Sequence, residues 1–215
     1  MNFQERLKKR IVSFEENATP RFLKIVHDDI KTLKNSGQVN SVLKAGVQMP
    51  AFELIDQNGT LVSTNELLED GPLVVTFYRG FWCAFCNLDL ANLNHYVPEI
   101  ESLGAKMITL SPEKTDYSKK IRARQKLNFN ILFDNGNAVA QKFGLKHHVG
   151  KDLIELYLSA FNVNLKQYHG NNEWALPMPA RFLIDQSGII RYAESKADYR
   201  ERPDPDDLIN VLKTL

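Results

Sequence analysis

Leu73-Val74-Val75-Thr76-Phe77-Tyr78-Arg79-Gly80-Phe81-Trp82-Cys83-Ala84-Phe85-Cys86 is the stretch on which the fold turns. Its first six residues are β-branched, apolar or aromatic, and Gly71-Pro72 and Gly80 bound them, which predicts a central buried strand. Beyond the cysteines, Leu90, Leu93, Val97, Ile100 and Leu103 recur at spacings of three and four, predicting an amphipathic helix that ends at Gly104. Cys83 and Cys86 therefore fall at a strand–loop–helix junction, in the first turn of the helix. Free N–H groups and the positive end of the helix dipole favour an anion there, so a thiol in that place becomes a reactive thiolate.

These are the only two cysteines in the chain. A secreted disulfide scaffold carries more of them, spread along the sequence. A pair three residues apart reads as a redox pair, as half a metal site, or as two small buried hydrophobes. A zinc site needs a second ligand pair, and His27, His95, His147, His148 and His169 offer none at zinc-finger spacing. Redox chemistry is the leading reading.

The rest of the composition narrows the partners. The chain has 215 residues, enough for one domain with a full core or one domain with an extension. Lys and Arg number 27 against 26 Asp and Glu, a net charge of +1 that argues against binding a nucleic-acid backbone. No apolar run is long enough to span a bilayer, and the first ten residues lack the apolar block of a secretory signal. A cytoplasmic protein with neither nucleic-acid nor membrane partners is the expectation.

Residues 1–45 read as a helical extension. Phe3, Leu7, Ile11 and Phe14 form one apolar stripe, and Phe22, Ile25, Val26, Ile30 and Leu33 a second. Thr19-Pro20 starts the second helix and Asn35-Ser36-Gly37 closes it. The stripes pack on the main domain or on a partner chain, which leaves a homodimer open. Residues 46–215 alternate in type. A hairpin turns at Asp56-Gln57-Asn58-Gly59, and the Cys-x-x-Cys unit follows it. Strands are predicted at 105–110 and 129–133, helices at about 116–126 and 137–143. A hairpin over 181–192 and a helix from Pro205 to Leu212 end the chain. Residues 145–176 read as an insertion with one helix near Leu153–Phe161. The order predicts an α/β fold with a parallel-containing sheet, helices on both faces, and a closing antiparallel hairpin.

Three blocks together resemble the peroxiredoxin superfamily. They are Gly46-x3-Pro50-x-Phe52-x-Leu54-x-Asp56-x2-Gly59, then Phe77 to Cys86, then Phe182-Leu183-Ile184-Asp185-x2-Gly188-x-Ile190. The likeness is narrowest to a peroxiredoxin-like branch of the alkyl hydroperoxide reductase/thiol-specific antioxidant (AhpC/TSA) family, one with a Trp-Cys-x-x-Cys and an N-terminal helical extension. It implies a thioredoxin fold of the peroxiredoxin type, a central mixed sheet flanked by helices. It further implies a thiol peroxidase acting on hydrogen peroxide or organic hydroperoxides through Cys83 and Cys86. Thioredoxin or another thiol reductant would recycle it, and no metal, haem or flavin enters such chemistry. Two other functions stay open: thiol–disulfide exchange with protein partners, and a non-catalytic redox sensor or binding module.

The chain departs from the peroxiredoxin pattern at the site itself. In the peroxiredoxin register Cys86 takes the place of the peroxide-attacking cysteine, Cys83 that of a threonine and Arg79 that of a proline. The thioredoxin register instead makes Cys83 the nucleophile. The resemblance favours Cys86 as attacker, with an exposed Cys83 at the helix tip as resolver. Pro179 occupies the usual arginine position and matches thioredoxin's cis-proline, so Met178–Pro179 is expected to be cis. Arg181, two residues on, shares a strand face with that position. Arg79 or Arg181 is expected within about 6 Å of a sulfur, close enough to favour the thiolate. Trp82 is expected to pack under the loop and shield it. His95 reads as a surface residue, and His147 and His148 approach the site only if the insertion folds over it. Asp198-Tyr199-Arg200-Glu201-Arg202-Pro203 matches a C-terminal motif of the branch, with no chemical duty assigned.

Overall fold

A computed structural model describes residues 1–215. Asn2 starts the first helix, α1 (Phe3–Asn17), through a capping box: its side chain accepts the Glu5 N–H and Glu5 accepts the Asn2 N–H, each at 2.9 Å. Thr19 caps α2 (Pro20–Asn35), with proline at the first helical position. Neither helix stands apart. Phe3 and Leu7 are buried in the core built around the cysteine helix, and Ile11 and Phe14 pack against it. Val26 and Ile30 join a separate cluster with residues of the 145–176 segment.

A two-stranded hairpin follows, β1 (Glu53–Ile55) with β2 (Leu61–Ser63), then a short helix α3 (Thr64–Glu69). Strand β3 (Leu73–Phe77) is wholly buried because both faces of the sheet are covered. Leu73, Val75 and Phe77 enter one core with Phe143 and Phe182, while Val74 enters the other with Leu90 and Leu93. Helix α4 (Ala84–Ser102) comes next, then β4 (Lys106–Ser111), α5 (Thr115–Gln125), β5 (Asn130–Phe133) and α6 (Ala138–Lys142). After the 145–176 segment come β8 (Ala180–Ile184), β9 (Ile190–Ser195) and α9 (Pro205–Leu212). The main sheet runs β5-β4-β3-β8-β9, parallel across β5, β4 and β3 and antiparallel across β3, β8 and β9. The expected mixed α/β sheet is present, and β3 lies at its centre.

The 145–176 segment carries more structure than one helix. Strands β6 (Lys146–His148) and β7 (Ala175–Pro177) pair antiparallel, with α7 (Lys151–Ser159) and α8 (Leu165–His169) between them. Three-residue strands leave too short a pattern for periodicity to detect. Leu153, Leu156 and Tyr157 of α7 pack with Val26 and Ile30 of α2, so extension and insertion share one small core. No helix is long and apolar enough to cross a membrane.

Candidate active site

The polypeptide leaves the carboxyl end of β3, crosses Tyr78–Trp82 and enters α4 with Cys83 as the N-cap. The loop is tied down at both ends. The Cys83 N–H donates to the Gly80 carbonyl at 3.0 Å, the Asn87 N–H to the Cys83 carbonyl at 2.9 Å, and Asn87 Nδ2 to the Phe81 carbonyl at 2.9 Å. Gly80 is required here. A Cβ at that residue would lie 2.5 Å from Trp82 Nε1 and 2.7 Å from Glu113 Oε1. Cys86 sits one turn on, at the third helical position, so both sulfurs lie at the positive end of the α4 dipole.

Each sulfur has its own guanidinium. Arg79 Nη1 lies 3.8 Å from Cys83 Sγ, and Arg202 Nη2 lies 3.2 Å from Cys86 Sγ. Arg79 is buried, and no carboxylate pairs with it. Its guanidinium carbon instead lies 3.7 Å from the Tyr199 ring centroid and 4.9 Å from that of Trp82, while Nη2 contacts the Tyr157 hydroxyl. The aromatic faces stabilise the cation without neutralising it. That leaves the Cys83 sulfur as its natural counter-charge. Arg202 also pairs with Asp89 at 3.2 Å, and Asp89 pairs with Arg181 at 2.9 Å. Asp89 is three residues beyond Cys86 on the same helix face.

Burial raises the pKa of Cys83. The hydrogen bond from Cys86 and the charges of Arg79 and Arg202 outweigh it and bring the thiol to about 5. Burial and the neighbouring Cys83 push Cys86 up instead. The two shifts favour a thiolate on Cys83 and a thiol on Cys86 in the reduced pair. A cavity of about 300 Å³ opens on Cys83 between Phe14, Phe81, Trp82, Phe161 and Tyr199, and Cys86 does not line it.

The expected residues meet only in part. Arg79 reaches a sulfur as anticipated. Arg181 does not: it is buried against Asp89 and the Pro203 carbonyl, and touches the site only through the Asp89–Arg202 pair. Trp82 packs on Tyr157 with ring centroids 5.3 Å apart and stays half-buried. The expected cis bond before Pro179 is absent, since every peptide is trans. The chain there runs extended from β7 into β8, with the Met178 N–H bonded to the Leu145 carbonyl at 2.9 Å. Pro179 lines a small cavity behind Arg79, together with His147 and Tyr157. Cys83 is 3% exposed rather than open at the helix tip, because the insertion brings Tyr157 over the loop. His147 comes with it, and burial and the Arg79 charge lower its pKa to about 4. His95 is exposed and His148 is turned to the surface.

Known proteins share this chain's fold. Residues 45–193 match the model of the AhpC/TSA family. The chain belongs to that family. Relatives of this AhpC/TSA protein include peroxiredoxin Bcp of Escherichia coli, 26% identical over 125 residues, 57% of this chain and 80% of that protein. Chloroplastic peroxiredoxin Q of Suaeda salsa is 24% identical over 170 residues, 79% of this chain and 68% of the relative. Among solved structures, peroxidoxin BcpB from Mycobacterium tuberculosis matches with a TM-score of 0.63 at 21% identity, over 80% of this chain and 98% of that one. The fold is thus the thioredoxin-like fold of peroxiredoxins.

For an AhpC/TSA protein with Arg79 in the usual proline place, the groups that sequence reading missed are Tyr199, Arg202 and Asp89. The signal was present. Asp89 is a carboxylate on the largely apolar buried face of an amphipathic helix, and Tyr199 and Arg202 belong to the motif noted above without a duty.

Proposed function

We propose that this AhpC/TSA protein is a thiol peroxidase in which the Cys83 thiolate attacks the peroxide and Cys86 resolves the product. The observation that carries the reading is that the site cavity opens on Cys83, whose thiolate is favoured by the neighbouring Arg79, a buried guanidinium with no carboxylate in direct contact. The preference for Cys86 drawn from register gives way here, because Cys86 is sealed from that cavity and its ionisation is opposed. Relatives named as peroxiredoxins support a peroxide as the oxidant.

In the first step the Cys83 thiolate attacks one oxygen of the O–O bond, becoming a sulfenic acid and expelling hydroxide or alkoxide, which takes up a proton to leave as water or an alcohol. Arg79 faces the reacting sulfur and stabilises the charge that develops on the leaving oxygen. Cys86, beneath it, then displaces hydroxide from the sulfenic acid and closes a Cys83–Cys86 disulfide. Arg202 lowers the cost of the Cys86 thiolate needed for that step. A thioredoxin-type protein or a small thiol returns the pair to the reduced state, entering from the cavity at Cys83.

Peroxide consumption coupled to thioredoxin, run beside reduction of insulin disulfides, tests the reading. Rapid peroxide turnover with little insulin reduction supports it. Insulin reduction without peroxide turnover supports protein disulfide exchange instead.

A further inference from the structure

Peroxide reduction at this site is one proton short. A hydroperoxide, one thiolate and one thiol must yield a disulfide, an alcohol and water. The hydroperoxide contributes one proton and the Cys86 thiol another, but the products carry three. The two sulfurs supply both electrons, and the third proton comes from elsewhere.

Resting on the peroxidase reading above, we infer that Glu113 holds that third proton in the reduced protein and releases it as Cys83 and Cys86 are oxidised. Glu113 follows the end of β4 and is fully buried, with no cation paired to it. An isolated carboxylate in such a place is costly, and protonation removes the charge. Its Oε2 accepts the Phe81 N–H at 2.6 Å, which fastens it to the cysteine loop. Its Oε1 is buried without a partner, and so is Trp82 Nε1. Both atoms face the α-carbon of Gly80. An unused acceptor beside an unused donor means that the ionised carboxylate, once formed, has a second N–H at hand besides that of Phe81.

The electrostatics agree with this geometry. Burial, and then the Cys83 charge, raise Glu113 to about 8 against the pull of the Phe81 N–H. The titratable groups that face it are Cys83, Tyr78 and Tyr168, and none of them is a cation. Disulfide formation removes the Cys83 charge and leaves both N–H groups in place, so the carboxyl becomes the stronger acid when the proton is needed. The balance then closes within the protein: neutral Glu113, thiolate, thiol and hydroperoxide give carboxylate, disulfide, alcohol and water.

Counting protons in a single turnover tests this. Reduced protein in weak buffer at pH 7 is mixed with one equivalent of oxidant, and a pH indicator reports uptake from solvent. Hydrogen peroxide is one oxidant. The second is diamide, an azo compound that takes two electrons and two protons to become a hydrazine and needs no peroxidase activity. The wild type is expected to take up well under one proton per oxidant, rising to one as the pH passes above about 8. Glu113→Gln should take up one proton throughout. The wild-type pH series needs no variant, and the loss of a protonated-carboxyl infrared band on oxidation gives a second wild-type readout. Uptake of one proton at pH 7 by the wild type with both oxidants, and no carboxyl band change, would overturn the proposal. Inertness to peroxide with the expected count in diamide would instead remove the peroxidase reading and leave the proton store standing.

Discussion

Arg202 donates to the sulfur of Cys86 across 3.2 Å from a position 116 residues further along the chain. The C-terminal segment is therefore part of the redox site. Tyr199, three residues earlier, covers the guanidinium of Arg79, which faces the other sulfur. One short stretch thus reaches both cysteines.

Replacing Arg202 by Met should slow disulfide closure more than peroxide attack. Cys86 loses its nearest cation, and each unit added to its pKa removes about tenfold of its thiolate. A sulfenic acid on Cys83 should then persist at least about tenfold longer, read by delayed trapping after a peroxide pulse. Equal slowing of both steps would assign Arg202 to Cys83 instead.

Asp89 is the sole carboxylate between the buried Arg181 and Arg202. Asp89→Asn leaves two guanidinium groups without their anion. Breaking a buried pair in this way costs about 3–5 kcal/mol. Urea unfolding should show a loss of that order, and a change within about 0.5 kcal/mol would mean that the charges are solvated after all.

Arg79→Met should raise the Cys83 pKa by about one to three units, the effect of removing an opposite charge at close range. Alkylation by iodoacetamide at pH 6 should fall about tenfold or more, while the rate at pH 10 changes little. A rate at pH 6 equal to the wild type would show that the Cys86 hydrogen bond, Arg202 and the helix terminus sustain the thiolate without Arg79.

Stability against pH separates Cys83 from Glu113. The folded pKa of Cys83 is depressed from 9.0 to about 5. Its contribution is full above pH 9 and is lost as the pH falls towards 5. Glu113 is raised from 4.5 to about 8, so its contribution is full below 4.5 and is lost as the pH rises through 8. His147 and His169, each lowered to about 4 from 6.5, act only below pH 6.5. Between pH 6.5 and 8 the two slopes oppose each other. The reduced wild type should hold a level melting temperature there, while reduced Glu113→Gln should become more stable as the pH rises. Parallel curves for the two proteins would count against the opposed titrations.

The sheet and the last helix were legible because their patterns are long and local. Leu73 to Phe77 is β-branched, apolar or aromatic throughout, and the last helix has its cap, Asp204, immediately before its apolar face in Pro205 to Leu212. The cysteine loop was legible from its residue types. The second ring of the site was not. Arg202 meets Cys86, and Arg181 meets Asp89, through contacts that no periodicity encodes, and Arg181 turned to the carboxylate because a buried guanidinium without an anion is costly. The insertion was read as one helix because β6 and β7 hold three residues each.

The most direct test of Cys83 as the attacking thiolate is sulfenic-acid trapping after one equivalent of peroxide in the two single-cysteine proteins. Cys86→Ser should yield the trapped adduct on Cys83, at a rate close to wild-type peroxide consumption, and Cys83→Ser should yield none. An adduct on Cys86 in Cys83→Ser, with none on Cys83 in Cys86→Ser, would contradict the assignment and restore the roles that the peroxiredoxin register suggests.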